Sequence, residues 1–588
     1  MSIGETETVV SAFAHLYANA KRLVVLRKAE AVCGALLLLM AVNLFASISR
    51  KSITNDEIVH IPAGYYHLVA GEFQLNNEHP PLVKMWAALP LLLVQPDEPP
   101  APGTGDENFM ERTWGFHERF WQANQTRFQT VTFWPRLMMI PITLALGVLI
   151  FVFARKLFGE TAGLVAVGLY VLEPTVLAHG RIVHTDVPAA LAYLLFFFAL
   201  HRYSEAPGKM RALILGLVCA VALLTKFSML VLVPVLGIYL FVRLIIHWRD
   251  RQQRNQILFH SAVITEVVLF LVNAAYYFQR PVLEASDVRW VAMKSPALLG
   301  LVTTFVRLAS YLVPTYYLFG IYNIELHNHF GHATSLLGQY SDQGWWYYFP
   351  VAFALKTTIP FLLLATAGLS WSVWRFAKRD WRFLWVVGPV GIYLTISLTS
   401  HINIGIRHFL PVYPFLFIAG GALLAQLLQA PRTVGIAVLV VLFGWMGFEA
   451  VRTFPNYTPY MNQLASNHPH WYYLSDSNVE WGDDVNALAD YLKARGETKV
   501  TAALSAGWST LGRYGVDYLD MVSLPPDKTP ETRYVAIGAS FLNGSLIPGD
   551  ENIIGRRYFE RTNLFARYRN RKPEAVFGGS IYLFRERE

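Results

Sequence analysis

The chain has 588 residues, of which 54% are hydrophobic and 15% are charged. An ordinary soluble domain carries about 25% charged residues, so this composition excludes a water-soluble globule and predicts an integral membrane protein. We attribute the formal net charge of +8 to membrane topology and contact with lipid headgroups, and no nucleic-acid partner is predicted.

Apolar segments recur through the first 450 residues, and each can cross about 30 Å of hydrocarbon as a helix. Lipid offers the backbone no hydrogen bonds, so these spans should be helical. Eleven crossings are predicted, at residues 29–48, 133–154, 160–178, 187–201, 211–225, 228–246, 258–277, 348–374, 383–400, 409–428 and 433–450. Basic residues flank alternate span ends and assign those ends to the cytoplasm, which leaves segments 49–132, 278–347 and 451–588 on the opposite side.

Two acids, Asp56 and Glu57, open the first of these outer segments directly after a predicted span. Their T-x-x-E context fits a helix capping box, and acids at a helix start complement its dipole, so capping is the simpler interpretation on spacing alone. The same segment then adds Glu78, His79 and Lys84 around a Pro-Pro pair. Acids and bases gathered at a membrane edge indicate a substrate held there.

A further acid, Asp186, lies in the HTDVP turn between the third and fourth predicted spans. With Pro188 close behind it, Asp186 is a good helix N-cap and needs no other function. Carboxylates from two outer turns can nevertheless converge at the mouth of a helix bundle. Partial burial or mutual coupling there would suit one of them for proton abstraction.

Basic side chains stand at the outer ends of several spans: Lys226, Lys356, Arg407 and His408. Charge at membrane depth is costly, so such groups face a cavity or a partner by default. An equal alternative for Lys356 is that its side chain snorkels to water. Several cations around one cavity would bind an anion, and the anion most available at that depth is a lipid phosphate.

Three histidines, His327, His329 and His332, follow in the second outer segment. Their spacing fits no strong metal-ligand signature, and an aromatic interface belt surrounds them. Sugar rings also stack on such aromatic faces. No metal or other cofactor is predicted, although a divalent metal stays an open alternative.

The pattern changes after residue 450. The stretch SDSNVEWGDDVNALADYLKARG predicts a capped helix that ends at Gly496, and TKVTAALSAG, RYVAIGAS and SIYLFRE predict strands. The sequence therefore predicts a membrane domain over residues 1–450 and a small extracytoplasmic α/β domain over 451–588.

Taken in order, the Asp-Glu pair, EHPPL, HTDVP, LTKFS and NIGIRHFLPVYP resemble polyprenyl-phosphate-dependent glycosyltransferases of the GT-C fold. The resemblance is to the family 39 protein O-mannosyltransferase-like group and the related lipid A aminoarabinose transferase. It covers roughly residues 29–450 and continues into SDSNVEWGDDVNAL at 475–488. It implies an α-helical GT-C bundle of about 11 transmembrane helices in the inner or plasma membrane, with the active site on the extracytoplasmic face.

The resemblance also implies roles for the acids. Asp56 matches the family's catalytic base, Glu57 its usual neighbour, and Asp186 the acid of the second outer turn. Glu78 matches the acid before the proline pair. In the aminoarabinose branch a lysine follows that acid and meets the donor phosphate, whereas His79 stands at that position here.

Among the cations, Lys226 resembles the lysine of the family's LTK stretch and Arg407 the arginine before its LPVYP span. The implied reaction transfers a sugar, mannose or a related hexose, from a polyprenyl-phosphate donor to a hydroxyl on a protein, lipid or glycan, with inversion. Asp56 would take the hydroxyl proton. Lys226 and Arg407, with His79 or Lys356, would offset charge on the departing phosphate.

Two other functions stay open. One is a secondary transporter that uses intramembrane charges as a relay, although the charges cluster at one face and no broken helices mark two matching halves. The other is a flippase or non-catalytic protein that binds lipid phosphate in a similar cavity.

Overall fold

A computed structural model describes residues 28–99, 109–429, 432–524, 528, 530–546 and 564–587. Within these residues, nine helices are long and apolar enough to cross a membrane: Lys28–Ile48, Gln125–Phe158, Asp186–Glu205, Phe227–Ile246, Arg251–Ala275, Ile359–Ala377, Trp381–Thr399, Ile406–Leu427 and Thr433–Thr453. The predicted α-helical membrane protein is confirmed. Of the predicted membrane domain, residues 1–27, 100–108 and 430–431 lie outside the described part.

The other helices are shorter, and in chain order they are Asn55–Val69, Leu82–Ala88, Leu91–Val94, Phe109–Ala123, Glu160–Leu172, Pro174–His179, Lys209–Thr225, Ala285–Lys294, Leu299–Ala309, Thr315–Phe330, Tyr348–Lys356, His470–Tyr473, Val485–Lys493, Gly507–Thr510, Ala539–Leu542 and Ala566–Arg569. Two of them, Glu160–Leu172 and Lys209–Thr225, take the places of predicted crossings. They reach 13 and 17 residues.

Proline divides two of the predicted crossings. The span predicted over 160–178 breaks at Glu173, whose ψ of 117° is extended, and Pro174 begins a new short helix. The span predicted over 348–374 breaks at Thr357, and the second helix begins with Pro360 in its first turn. Proline has no N–H to donate and suits a first turn, so each break falls just before it.

Close backbone packing joins the helices at the centre of the bundle. A Cβ at Gly421, in the helix Tyr413–Leu427, would lie 2.6 Å from the carbonyl oxygen of Ala162. A Cβ at Gly368 would lie 2.7 Å from the carbonyl of Ala419. Lipid gives little hydrophobic drive for helix association, so small residues that allow close approach take over that role.

Among the described residues, seven strands form two sheets: β1 Thr334–Leu336, β2 Gln339–Ser341, β3 Lys499–Ala503, β4 Asp517–Asp520, β5 Tyr534–Gly538, β6 Ala575–Phe577 and β7 Ile581–Arg585. β1 and β2 make an antiparallel hairpin, and the others make a sheet in the order β4-β3-β5-β7-β6. β3 is parallel to β4 and β5, while β7 is antiparallel to β5 and β6. The three strands predicted after residue 450 are its three inner strands, and the edges β4 and β6 were not predicted.

The helix predicted over 475–496 forms only in its second half, as Val485–Lys493. Gly482 has a φ of +98°, which lies outside the helical region, so the helix does not extend through this residue. A Cβ at this position would lie 2.6 Å from that of Ala506, so the close packing also requires glycine. Residues 475–484 instead pass across the end of the membrane bundle.

Buried ion pairs fix this crossing segment. Lys51 pairs with Asp484 and also donates to Asn456 Oδ1 at 2.6 Å. Arg181 lies 3.2 Å from Asp483 Oδ2. These contacts hold the start of the C-terminal sheet region against the bundle.

We expect Gly421→Val to lower the thermal unfolding temperature in detergent, measured by tryptophan fluorescence, because overpacking a tight helix interface costs about 1–3 kcal/mol. The matched control is Gly444→Val, where an added Cβ meets nothing within 4 Å. Equal unfolding temperatures for the two variants would show that the interface at Gly421 tolerates the added volume.

Candidate active site

A cavity of about 210 Å³ lies where the first outer segment, the bundle and the crossing segment 475–484 meet. Seven residues predicted from the sequence line it: Asp56, Glu78, His79, Asp186, Lys226, Arg407 and His408. They come from positions up to 352 residues apart in the chain (408 − 56). The fold therefore brings most of the predicted site residues together around one cavity.

Asp56 lies in the first turn of the helix Asn55–Val69, with both carboxylate oxygens engaged. Oδ2 pairs with the Arg407 guanidinium, and Oδ1 accepts the Trp481 indole N–H at 3.3 Å. The guanidinium carbon lies 4.3 Å from the centre of the Trp481 ring. Burial opposes ionisation of Asp56, but the Arg407 guanidinium outweighs it and lowers the pKa of this carboxyl below its usual value. Asp56 is therefore a carboxylate at neutral pH.

Asp186 begins the helix Asp186–Glu205 and faces the same cavity. Its Oδ1 pairs with Lys226, and its Oδ2 lies 2.9 Å from His184 Nδ1. Arg407 Nη1 approaches Oδ2 to 3.7 Å, so this guanidinium lies between the carboxylates of Asp56 and Asp186. Two acids and two cations thus form one nearly neutral group, which limits the cost of burying charge.

Two neutral imidazoles, those of His60 and His79, also line the cavity. The rings of His60 and His79 meet edge to face, with centroids 5.2 Å apart. Burial lowers the pKa of His60 to about 4 and that of His79 well below its usual value. At neutral pH His79 therefore offers a hydrogen bond and carries no positive charge, unlike the lysine at this position in the aminoarabinose branch.

Three predicted site residues do not line the cavity. Glu57 is fully buried and pairs with Arg136 through both oxygens, at 2.8 and 2.6 Å, while the Val183 N–H donates to it at 3.0 Å. Lys84 donates to the carbonyls of Asn76 and His79, at 2.6 and 2.9 Å.

Lys356, the third, donates to the carbonyls of Thr458 and Asn478, each at 2.6 Å, and does not snorkel to water. All three hold backbone in place around the cavity. Glu57 fixes the turn that carries Asp186. Lys84 fixes the loop that carries Glu78 and His79. Lys356 fixes two segments of chain, one before and one after Asp476.

Two cavity residues not predicted as site residues, Asp476 and Trp481, come from the SDSNVEWGDD stretch. His327 and His332, left without a role in the sequence, also line the cavity. No spacing rule links Asp476 and Trp481 to Asp56, because Trp481 and Asp56, which are in contact, lie more than 400 positions apart in the chain. The resemblance of this stretch to the family was the one feature of the sequence that indicated a role for it.

A second cavity, of about 310 Å³, adjoins the first and shares Glu78, His79, Lys226 and His408 with it. Its remaining wall combines apolar side chains, including Phe227, Leu230, Ile321, Phe349 and Ile396, with polar ones such as Glu325, Asn328 and Ser397. Lys226 therefore lies where the first cavity meets a second and more apolar chamber. Across the described residues, no three His, Cys, Asp or Glu side chains converge as a metal-binding set.

Residues 127–276 match the family model of dolichyl-phosphate-mannose-protein mannosyltransferase. The resemblance predicted from the sequence is confirmed over this segment. It contains the helix that begins at Asp186 and the residue Lys226, but neither Asp56 nor Arg407. Comparison with curated protein sequences gives no match.

Among solved structures, the chain is similar to ArnT from Cupriavidus metallidurans bound to undecaprenyl phosphate, with 15% identity, a TM-score of 0.43, and coverage of 82% of this chain and 74% of that one. For the apo state of the same protein the identity is 14%, the TM-score 0.44, and the coverage 96% and 98%. The Archaeoglobus fulgidus oligosaccharyltransferase in complex with Zn and sulfate matches at 10% identity and a TM-score of 0.47, over 89% of this chain and 70% of that one.

We expect Glu57→Gln to lower the free energy of unfolding by about 3–5 kcal/mol, because removing one partner of a buried ion pair leaves Arg136 uncompensated. Thermal unfolding in detergent measures the loss. Glu205→Gln is the control, since its pairs with Lys156 and Arg202 are exposed and such pairs contribute about 0–1 kcal/mol. A Glu57→Gln protein as stable as the control would contradict a structural role for Glu57.

Proposed function

We propose that the protein is a membrane glycosyltransferase that moves a sugar from a polyprenyl-phosphate donor to an acceptor hydroxyl. The observation that carries this proposal is the convergence of Asp56, Asp186, Lys226 and Arg407 on one cavity that adjoins a second, more apolar chamber. A lipid-linked sugar has a matching division into polar head and apolar tail. The family match over 127–276 favours a mannose-type sugar.

The donor would place its phosphate at the junction of the two cavities and its first isoprene units in the apolar chamber. Lys226 lies at that junction, because it lines both cavities. His79 and His408 line both as well and would add hydrogen bonds. Undecaprenyl phosphate, the lipid in the ArnT structure, belongs to the class of leaving group proposed here.

The transfer step is a single displacement. The acceptor oxygen forms a bond to the anomeric carbon while the bond from that carbon to the phosphate oxygen breaks, so the configuration inverts. The lipid phosphate leaves with the bonding electron pair, and the hydroxyl proton passes to the Asp56 carboxylate. Arg407 and Lys226 stabilise the charge that grows on the phosphate. The leaving group already carries negative charge that these cations meet, and we assign no metal.

The acceptor would enter beside the crossing segment, where Trp114, Ser505 and Leu546 complete the cavity wall. It belongs to a protein, a lipid or a glycan. The proposed side of the reaction is extracytoplasmic, in the inner or plasma membrane. Arg155 and Lys156, a basic flank of the cytoplasmic kind, lie in the last turn of the helix Met139–Phe158, whereas Arg136 near its other end contacts Glu57 beside the cavity.

We expect Asp56→Asn to lower sugar transfer by about 10²- to 10⁴-fold while binding of lipid phosphate is retained, since a positioned base contributes that much. Transfer from a radiolabelled polyprenyl-phosphate sugar by purified protein is the measurement. Asp517→Asn, on the exposed edge strand β4, is the matched control. Near-normal transfer by Asp56→Asn would remove Asp56 from the role of base.

Arg407→Ala should weaken donor binding by about 10- to 100-fold, because a hydrogen bond to a charged group contributes about 1.5–3 kcal/mol. Displacement of a labelled lipid phosphate measures it. Arg382→Ala, which removes an exposed guanidinium paired with Asp380, is the control. An unchanged affinity for Arg407→Ala would assign Arg407 to holding Asp56 and Asp186 together.

The same purified protein separates the other functions. A glycosyltransferase releases lipid phosphate from the labelled donor, a transporter moves substrate only across a gradient in vesicles, and a binding protein retains the donor intact. Retention without release would overturn the proposed function.

A further inference from the structure

Asp476 is a cavity residue that the proposed transfer step leaves without a task. It has a φ of +53°, a left-handed conformation that costs free energy for a residue other than glycine. Its backbone N–H donates to Ser540 Oγ at 2.7 Å, and its Oδ1 accepts the Ser477 N–H at 2.5 Å. The C-terminal sheet region therefore holds this carboxyl at the cavity wall.

A pair of histidines continues from this carboxyl. His332 Nε2 lies 3.8 Å from Asp476 Oδ2, and His332 Nδ1 lies 3.0 Å from His327 Nε2. Both rings line the cavity, and the His332 side chain is 31% exposed. The three groups form a chain of proton-binding atoms that begins at Asp476, passes through His332 and ends at the half-buried ring of His327.

Burial and the neighbouring charges set the protonation state of each member of this chain. Burial raises the pKa of Asp476 to about 6, with Asp56 adding to the rise and Arg407 opposing it; Glu480 also faces this carboxyl. Burial, His327 and Arg407 lower the pKa of His332 to about 3. His332 is therefore a neutral ring that holds a proton only in passing, while Asp476 accepts and releases one near neutral pH.

Among the described residues, neither side chain that is hydrogen-bonded to Asp56 can take up a proton from it. Arg407 and Trp481 occupy its two oxygens, and both are donors that cannot take a proton from it. Each transfer would leave one proton on Asp56, and this proton must depart before the next turnover.

We propose that Asp476, His332 and His327 form a proton relay that carries the acceptor's proton out of the cavity, an inference that rests on the proposed glycosyltransfer. Asp476 takes the proton from Asp56 through solvent in the cavity and, across the 3.8 Å gap, gives it through one bridging water molecule to His332 Nε2. His332 releases its Nδ1 proton to His327 Nε2, and His327 releases its Nδ1 proton to solvent. Each ring is left as its other tautomer and returns by exchange with solvent, so one proton leaves per sugar transferred.

The first test is His332→Ala in the full-length protein, assayed with a radiolabelled polyprenyl-phosphate sugar. We expect kcat to fall about tenfold or more, donor affinity to stay unchanged, and added imidazole to restore part of the rate, because a free base replaces the missing ring. The matched control is His329→Ala, an exposed histidine three residues away that is not a cavity-lining residue.

The second test is Asp476→Asn across a pH series. In the unsubstituted protein, transfer should rise with pH through about 6, as Asp476 loses its proton and becomes able to accept one. The variant should be slower and lack this rise. The double variant Asp476→Asn/His332→Ala should be no slower than the slower single variant, because groups in one chain do not add.

The outcomes separate the two proposals. No sugar transfer by the unsubstituted protein overturns the proposed function and the relay with it. Normal transfer by the unsubstituted protein together with normal kcat for His332→Ala overturns the relay alone. A loss of rate that imidazole does not restore, with the pH rise unchanged in Asp476→Asn, also overturns it and assigns both residues to structure.

Discussion

The structure depends most on the position of the Arg407 guanidinium between two carboxylates that lie far apart in the chain. Asp56 enters from the helix after the first span, and Asp186 from the turn before another. Without a cation between them, two acids at this depth would repel each other and cost free energy to ionise. Arg407 makes their approach possible and at the same time supplies the charge that an incoming phosphate would meet.

The packing of the helix bundle holds Arg407 in this position. Arg407 lies in the short turn Ile406–Val412, directly before the helix Tyr413–Leu427, whose glycines pack against its neighbours. Glu57, Lys84 and Lys356 complete the frame by binding backbone around the cavity. The reactive groups thus stand on rigid elements and are oriented by buried charges that do not touch the cavity themselves.

Much of this was predictable from the sequence, and the remainder has physical reasons. The length of the apolar segments predicts where the chain crosses the membrane. The prolines at 174 and 360 mark where two of the predicted spans break. The rule that charge at membrane depth faces a cavity or a partner holds for Arg407 and Lys356 alike. The rule does not predict whether a given charge faces a cavity or contacts a partner. The partners of Lys356, for example, are backbone carbonyls that only the fold brings near. Asp476 was beyond prediction for the same reason, since its neighbours in space are remote in the chain.

The crossing segment 475–484 joins two parts of the molecule that the sequence treats as separate. Trp481 touches Asp56, while two residues later Asp483 and Asp484 are anchored to Arg181 and Lys51, and Ser580 of the sheet region also donates to Asp484. A displacement of the sheet would therefore be transmitted through few contacts to Asp56, the proposed catalytic base. A molecule that binds the C-terminal sheet region, such as an acceptor or an antibody, could therefore alter the position of Asp56.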